Sequence, residues 1–368
     1  MIQANGAEQE SLAESEKALI EAAAGVTEER DGAGLGGLVG NLDSVIIATE
    51  IDHLVPAVHE LLRYTGLSCT EAFSGGDLPG YVLSLPGSAS LLLRARGGKE
   101  NPFAPVNRAR LTGALPNTRL ETFVFTTPDI RTYVAIQESR GVRFLTGSIH
   151  ETDAYSFIQT VPSPFTGNSL GFIQWREGKG SYAPAGAGIT LPAIDKPPLG
   201  HLKNILGLDH TATRVRAQDR SAAILEFLNL TNYHYDFGVI VKSQNSITSV
   251  ARRQKTDFAM VFTSGIRPFT TDTASGPTER FIQNYGTRVH HIAFGTENIE
   301  ETVDTLHRDH LEFLLDLVGS GEEGLKQIFS MPSQHTMIVN EYIHRYGNFD
   351  GFFTRSNVEK LTEATGRQ

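Results

Sequence analysis

Four segments of this 368-residue chain open in the same way, and no other feature restricts its fold as much. They are Leu42-Asp43-Ser44-Val45, Leu120-Glu121-Thr122-Phe123, Leu208-Asp209-His210-Thr211 and Val289-His290-His291-Ile292, at spacings of 78, 88 and 81 residues. Each begins a short β-branched or alternating run, as a half-buried strand requires, and is followed by apolar residues at helical spacing. After the first opening, Ile51, Leu54, Val55, Val58, Leu61 and Leu62 make an amphipathic stripe. Further strand candidates follow each helix, among them residues 81–85, 237–241, 247–251, 258–262, 325–329 and 336–342. One βαβββ unit is used four times, and four units divide into two halves. The third positions of the openings are Ser44, Thr122, His210 and His291, so metal-ligand side chains stand only in the second half.

The length suffices for two well-buried domains, and 40% hydrophobic with 20% charged residues is ordinary for a globular chain. A net charge of −10 argues against nucleic acid or an anionic membrane as partner, since both need a basic face, and favours a small molecule. The single cysteine, Cys69, forms neither an internal disulfide nor a thiolate cluster and reads as a small buried residue. No apolar run approaches the ~18–20 residues that span a bilayer, and the acidic N-terminus does not resemble a secretory signal. The cytoplasm is therefore the expected location, and Asn229-Leu230-Thr231 reads as a chance sequon. Residues 1–40 read as an acidic tail with a short helix near residues 14–24. Its glycine-rich end, residues 32–37, matches GxGxxG but lacks the strand before and helix after that a dinucleotide site needs, and reads as a flexible linker. Residues 178–200, dense in glycine and proline, read as a crossover. The expected division is a tail (1–40), an N-terminal metal-free domain (41–177), a linker (178–203) and a C-terminal catalytic domain (204–368).

His210 and His291 occupy equivalent places on the first strands of units three and four, so pairing of the units would bring two imidazoles together. The third ligand expected is Glu341, a carboxylate inside the β-prone run Met337-Ile338-Val339-Asn340-Glu341-Tyr342-Ile343, where burial is costly unless the group is paired or metal-bound. Two histidines and one carboxylate with open positions is the facial triad of non-haem Fe(II) oxygenases. His290 is an alternative ligand, although the repeat register favours His291. The plainer alternative is a sheet surface with no metal, since Ser44 and Thr122 show that the scaffold tolerates non-ligands. His307 and His310 read as helix surface, and His335 as a turn residue.

At these residues the chain resembles the 4-hydroxyphenylpyruvate dioxygenase family of the vicinal-oxygen-chelate group. Leu208-Asp209-His210 and His290-His291-Ile292-Ala293 resemble its two histidine strands. Gln327-Ile328-Phe329-Ser330 with Pro332, and Glu341-Tyr342-Ile343-His344-Arg345, resemble its later motifs. The resemblance implies an α+β fold of four βαβββ modules in two domains, each an open barrel-like curved sheet with outer helices. It implies Fe(II) as cofactor, a 2-oxo acid and O2 as reactants, and oxidative decarboxylation coupled to hydroxylation of the same substrate. It also implies substrate contacts from Ser249, Gln327, Phe329, Val339, Asn357, Val358 and His290, a lid made by residues 357–364, and a homo-oligomer, dimer or tetramer. Val358 and Val339 stand where the family carries aromatic residues, so a substrate other than 4-hydroxyphenylpyruvate is expected, and Val358→Phe should improve turnover of that compound. Side-chain hydroxylation as in hydroxymandelate synthases, extradiol ring cleavage and non-catalytic ligand binding are the alternatives.

Overall fold

The computed structural model describes residues 2–75, 78–96, 101–183, 191, 194–347, 349 and 351–368. A long helix, α1 (Ile2–Gly32), comes first. The first half then runs β1 (Leu42–Thr49), α2 (Ile51–Tyr64), β2 (Ser68–Gly75), β3 (Leu78–Ser84), β4 (Ser90–Ala95), β5 (Arg119–Thr126), α3 (Ile130–Ser139), β6 (His150–Glu151), β7 (Tyr155–Gln159) and β8 (Ser169–Trp175). The second runs β9 (Ile205–Arg214), α4 (Arg220–Leu230), β10 (His234–Val241), β11 (Ser246–Arg252), β12 (Ala259–Gly265), α5 (Pro277–Tyr285), β13 (Arg288–Thr296), α6 (Ile299–Arg308), β14 (Val318–Ser320), β15 (Leu325–Phe329), β16 (Val339–Arg345) and α7 (Arg355–Ala364).

Among the described residues the strands form two eight-stranded sheets with the same plan: β2-β3-β4-β1-β5-β8-β7-β6 and β10-β11-β12-β9-β13-β16-β15-β14. In each, the first strands of two βαβββ units meet antiparallel at the centre, and each first strand runs parallel to the last strand of its own unit. This is the paired-module α+β fold expected from the four openings. One apolar core joins the halves, taking in Leu54, Leu61, Tyr133, Phe227, Leu228, Val303 and Leu306 of the helices together with residues of both sheets. The Tyr133 hydroxyl donates to the Leu230 carbonyl (2.8 Å) and that of Tyr342 to the Tyr64 carbonyl (2.8 Å), so the junction is also keyed by buried hydrogen bonds.

The N-terminal segment departs from the expected tail. Its alanine, glutamate and leucine content favours helix throughout, and α1 runs far beyond residues 14–24. Arg30 is buried and gives its Nη1 to the carbonyls of Leu228 (3.2 Å), Thr231 (2.8 Å) and Tyr233 (3.1 Å), around the C-terminal end of α4, where helix carbonyls lack intrahelical partners. The glycine-rich stretch after α1 is an anchored turn instead of a flexible linker. Leu35 is buried, and the Asn232 side chain bonds both the Leu35 carbonyl (3.2 Å) and the Val39 amide (2.6 Å). Of the expected crossover, residues 184–190 and 192–193 lie outside the described residues. Helix α5 is not among the predicted elements; Pro277 opens it and Gly286 closes it at φ 76°.

Candidate metal centre

The middle of the second sheet sets three side chains on one face. Across β9, β13 and β16, His210 lies opposite Ala293, which lies opposite Glu341; in the adjacent row Ala212 lies opposite His291, which lies opposite Val339. Paired residues share a face, so His210, His291 and Glu341 all project to the same side. Alanine at 212 and 293 leaves the space between them open. The two imidazoles and the carboxylate are buried, and a ligand atom of each lies within 4.8 Å of the other two. Nε2 of His210 and Nε2 of His291 stand 3.1 and 3.2 Å from the same oxygen, Glu341 Oε2.

Two β-bulges supply the supporting contacts. Between Leu208 and His210 the ladder gains one residue, Asp209, and between Val289 and His291 it gains His290. A bulged residue leaves strict alternation, so both turn toward the ligand beside them. Asp209 Oδ1 accepts from His210 Nδ1 at 2.7 Å, and Arg345 Nη2 holds the same oxygen at 3.1 Å. Nδ1 thus keeps its proton, so Nε2 is the nitrogen turned toward Glu341 and the one a metal ion would take. His290 Nε2 donates to Gln368 Oε1 (2.8 Å), so its Nδ1 accepts from His291 Nδ1 (2.9 Å), which again frees Nε2. Burial works to lower the His210 pKa, but Glu341 and Asp209 at its two nitrogens outweigh it and carry it up to about 9. Burial, then the neighbouring His290, His210 and Arg214, hold His291 well below the usual histidine range.

The carboxylate is oriented in turn. Gln327 Nε2 donates to Glu341 Oε1 (2.6 Å), and Asn357 Nδ2 at the start of α7 donates to Gln327 Oε1 (3.0 Å). Gly319, at φ 89°, lets α7 come this close: a Cβ there would stand 2.0 Å from the Leu325 carbonyl and 2.8 Å from Asn357 Nδ2. Phe329 packs its ring 4.6 Å from His291, and Phe352 and Phe353 meet His210 edge-on at 5.3 and 5.2 Å.

Of the residues expected at the substrate, Gln327, Phe329, Val358 and His290 line a small cavity beside His291 and Glu341. Val339 lies in the row of His291 and packs with Phe329 and Leu361, while Asn357 reaches the site only through Gln327. Ser249 is not brought here. Its hydroxyl accepts from Arg220 Nε (2.9 Å) on the helix-covered face, and its neighbour Thr248 lines the cavity instead. Asp209 and Arg345 join the site unpredicted, although both stand inside the motifs that carry the resemblance. Arg214 joins it too, four residues after His210 on the same strand face, and burial alone pushes its guanidinium down to about 9.

The donors fit a divalent metal ion. Nε2 of His210, Nε2 of His291 and one oxygen of Glu341 converge in a buried space, a set that a divalent cation would bridge and that a proton on His210 balances without one. Among the described residues this is the one such group. A larger cavity of about 290 Å³, between α4 and the segment around Ser163, has Glu226 as its sole carboxylate and offers no comparable ligand set. In the first sheet the corresponding places hold Ser44, Thr122 and Gly171.

No protein-family model and no curated protein matches the chain. Solved structures do. A triple mutant of 4-hydroxymandelate synthase from Streptomyces coelicolor superposes with a TM-score of 0.65 at 17% identity, over 89% of this chain and 98% of that one. A xylose isomerase-like TIM barrel/4-hydroxyphenylpyruvate dioxygenase fusion protein superposes with a TM-score of 0.62 at 13% identity, over 90% of this chain and 53% of that one, about half its length. The chain is built on the paired-module fold of these proteins.

Proposed function

We propose that the chain is an Fe(II)-dependent dioxygenase that couples oxidative decarboxylation of a 2-oxo acid to hydroxylation of the same substrate. The observation that carries this reading is the convergence of His210, His291 and Glu341, each with its free donor atom fixed by a partner behind it. Two neutral imidazoles and one carboxylate suit Fe(II) and leave positions for a chelating 2-oxo acid and O2. When bound, the ion would supply O2 activation and hold the oxo acid. The fold shared with an enzyme named 4-hydroxymandelate synthase supports the same class.

The chain's own residues do the rest. Asp209 and His290 keep the lone pairs of the ligands aimed inward, and Gln327 holds Glu341 by one oxygen, leaving Oε2 for the metal. Phe329, Phe353, Val358 and Leu361 keep bulk water from the reacting end of the substrate. Helix α7 closes the cavity through Val358, Leu361 and Thr362 and is latched by Asn357, as a lid would be. No tyrosine lines the cavity among the described residues, so an acid-base pair for ring cleavage has no counterpart.

The test is anaerobic Fe(II) loading followed by addition of O2 and a panel of 2-oxo acids, with O2 uptake, CO2 release and product masses recorded. Equimolar O2 loss and CO2 release, with a product one carbon shorter than the oxo acid and unchanged in oxygen count (substrate plus O2 minus CO2), is the expected result. Stoichiometric iron with no oxo acid consumed would overturn the reaction, and no iron uptake would overturn the site.

A further inference from the structure

Arg214 is a buried cation for which the fold provides no counter-charge. Its side chain is 4% exposed, Nη1 is sealed off without a hydrogen-bond partner, and no carboxylate pairs with it among the described residues. What the fold provides is a support: the guanidinium carbon stands over the Phe281 ring, 4.4 Å from its centre. An unpaired buried charge is among the costliest things a fold can carry, so a site that keeps one is built for an anion that arrives from outside.

That anion has a defined place to sit. Arg214 lines the same small cavity as His291 and Glu341, displaced along β9 by four residues from His210, or ~13 Å between backbones at strand rise. The Thr278 hydroxyl, also fully buried and without a partner, lines that cavity as well. Two orphaned donors in one closed space require an acceptor-rich group, and a carboxylate supplies one to each.

We infer that the substrate is a 2-oxo acid bearing a second carboxylate, remote from its oxo-acid end, which Arg214 and Thr278 hold. The inference rests on the metal reading proposed above. A divalent ion with Glu341 leaves one net positive charge and Arg214 adds another, so a dianionic oxo acid balances the closed site while a monoanion leaves a buried charge over.

The experiment loads the full chain with Co(II), follows uptake by its visible absorption, and titrates it anaerobically with matched pairs that differ in the second carboxylate. The pairs are 2-oxoadipate against 2-oxohexanoate, and 4-carboxyphenylpyruvate against phenylpyruvate. At least one dicarboxylate should bind tenfold or more tighter than its partner. Arg214→Met should abolish that preference while leaving Co(II) uptake and the monocarboxylate's affinity in place, and Thr278→Val should narrow it. Because Met removes an unpaired charge, the melting temperature of the ligand-free variant should hold or rise, whereas a structural arginine would lower it. Equal binding within both pairs, or a preference that survives Arg214→Met, overturns the inference. If both members of a pair weaken alike in the variant, Arg214 holds the oxo-acid end and the inference is again overturned. Absence of Co(II) uptake overturns the metal reading instead, and is seen separately by its absorption.

Discussion

Asp209→Asn isolates what the bulge on β9 contributes to the proposed metal centre. The carboxylate accepts from His210 Nδ1 at 2.7 Å and from Arg345 Nη2 at 3.1 Å. Burial works to raise its pKa, but His210 and Arg345 hold it well below the usual carboxylate range, so it stays ionised. An asparagine cannot serve both partners. With its oxygen toward His210, its NH2 faces the guanidinium; with its NH2 toward His210, it donates to Nδ1 and forces the proton onto Nε2, where the metal must bind. Loss of such a support costs about 10–100-fold in metal affinity, or ~1.4–2.7 kcal/mol. One effect opposes this: Asp209 helps to raise the His210 pKa, so its removal also weakens the proton that competes with the metal. The loss should therefore be larger at pH 9.5, where that competition is gone, than at pH 7. Chelator competition with Co(II) at both pH values measures it. An affinity within threefold of the parent at pH 9.5 would refute the role given to Asp209, and Arg345→Met should cost less because Asp209 remains.

Metal-free protein should lose stability as the pH rises. His210 has a folded pKa of about 9 against ~6.5 unfolded, so the stability from its proton is complete below pH 6.5 and is lost as pH passes 9, ~3 kcal/mol in all. A melting temperature that stays flat from pH 6.5 to 9.5 would contradict the pairing with Glu341. Arg30→Met strands the carbonyls of Leu228, Thr231 and Tyr233 and should cost ~2–4 kcal/mol in urea unfolding while sparing metal uptake; a loss below ~0.5 kcal/mol would show that α1 is held otherwise. Truncation after Gly351 removes α7, and with it Val358, Leu361 and the Asn357 latch. O2 uptake should continue without matching product, and unchanged coupling would sink the lid.

The four openings were legible because duplication repeats one hydrophobic period, and a shared place in the repeat is information that a lone histidine lacks. The supports behind the ligands were not, because they sit where the period breaks. Asp209 and His290 project beside neighbours that alternation would set on the opposite face, and only the bulged ladder shows it. Ser249 and Thr248 show the reverse cost of that period: a one-residue difference along a strand exchanges the covered face for the cavity. Helix α1 was underestimated because it carries no apolar stripe, and its attachment depends on a few residues such as Leu19, Ala23 and Arg30. Arg214 was invisible for a different reason. An arginine on a strand is unremarkable until burial shows that no described carboxylate answers its charge.

The two sheets show how little separates a scaffold from a site. Asp43 occupies the same bulge in β1 that Asp209 occupies in β9, yet Trp175 Nε1 (3.0 Å) and the Tyr182 hydroxyl (2.6 Å) hold it where Arg345 and His210 hold Asp209. Where Glu341 stands in the second sheet the first has Gly171, and a Cβ there would meet the Phe157 ring at 2.9 Å. Phe157 in turn holds the position of Gln327, the residue that orients Glu341. Its concave side is filled by Tyr155, Phe157, Trp175 and Tyr182, an apolar plug with no ligand set. The bulge therefore belongs to the fold and the ligands to one copy of it. Placing histidines at 44 and 122 alone would not recreate the candidate centre, because the position matching Glu341 is closed by an aromatic ring and the support at Asp43 is already engaged.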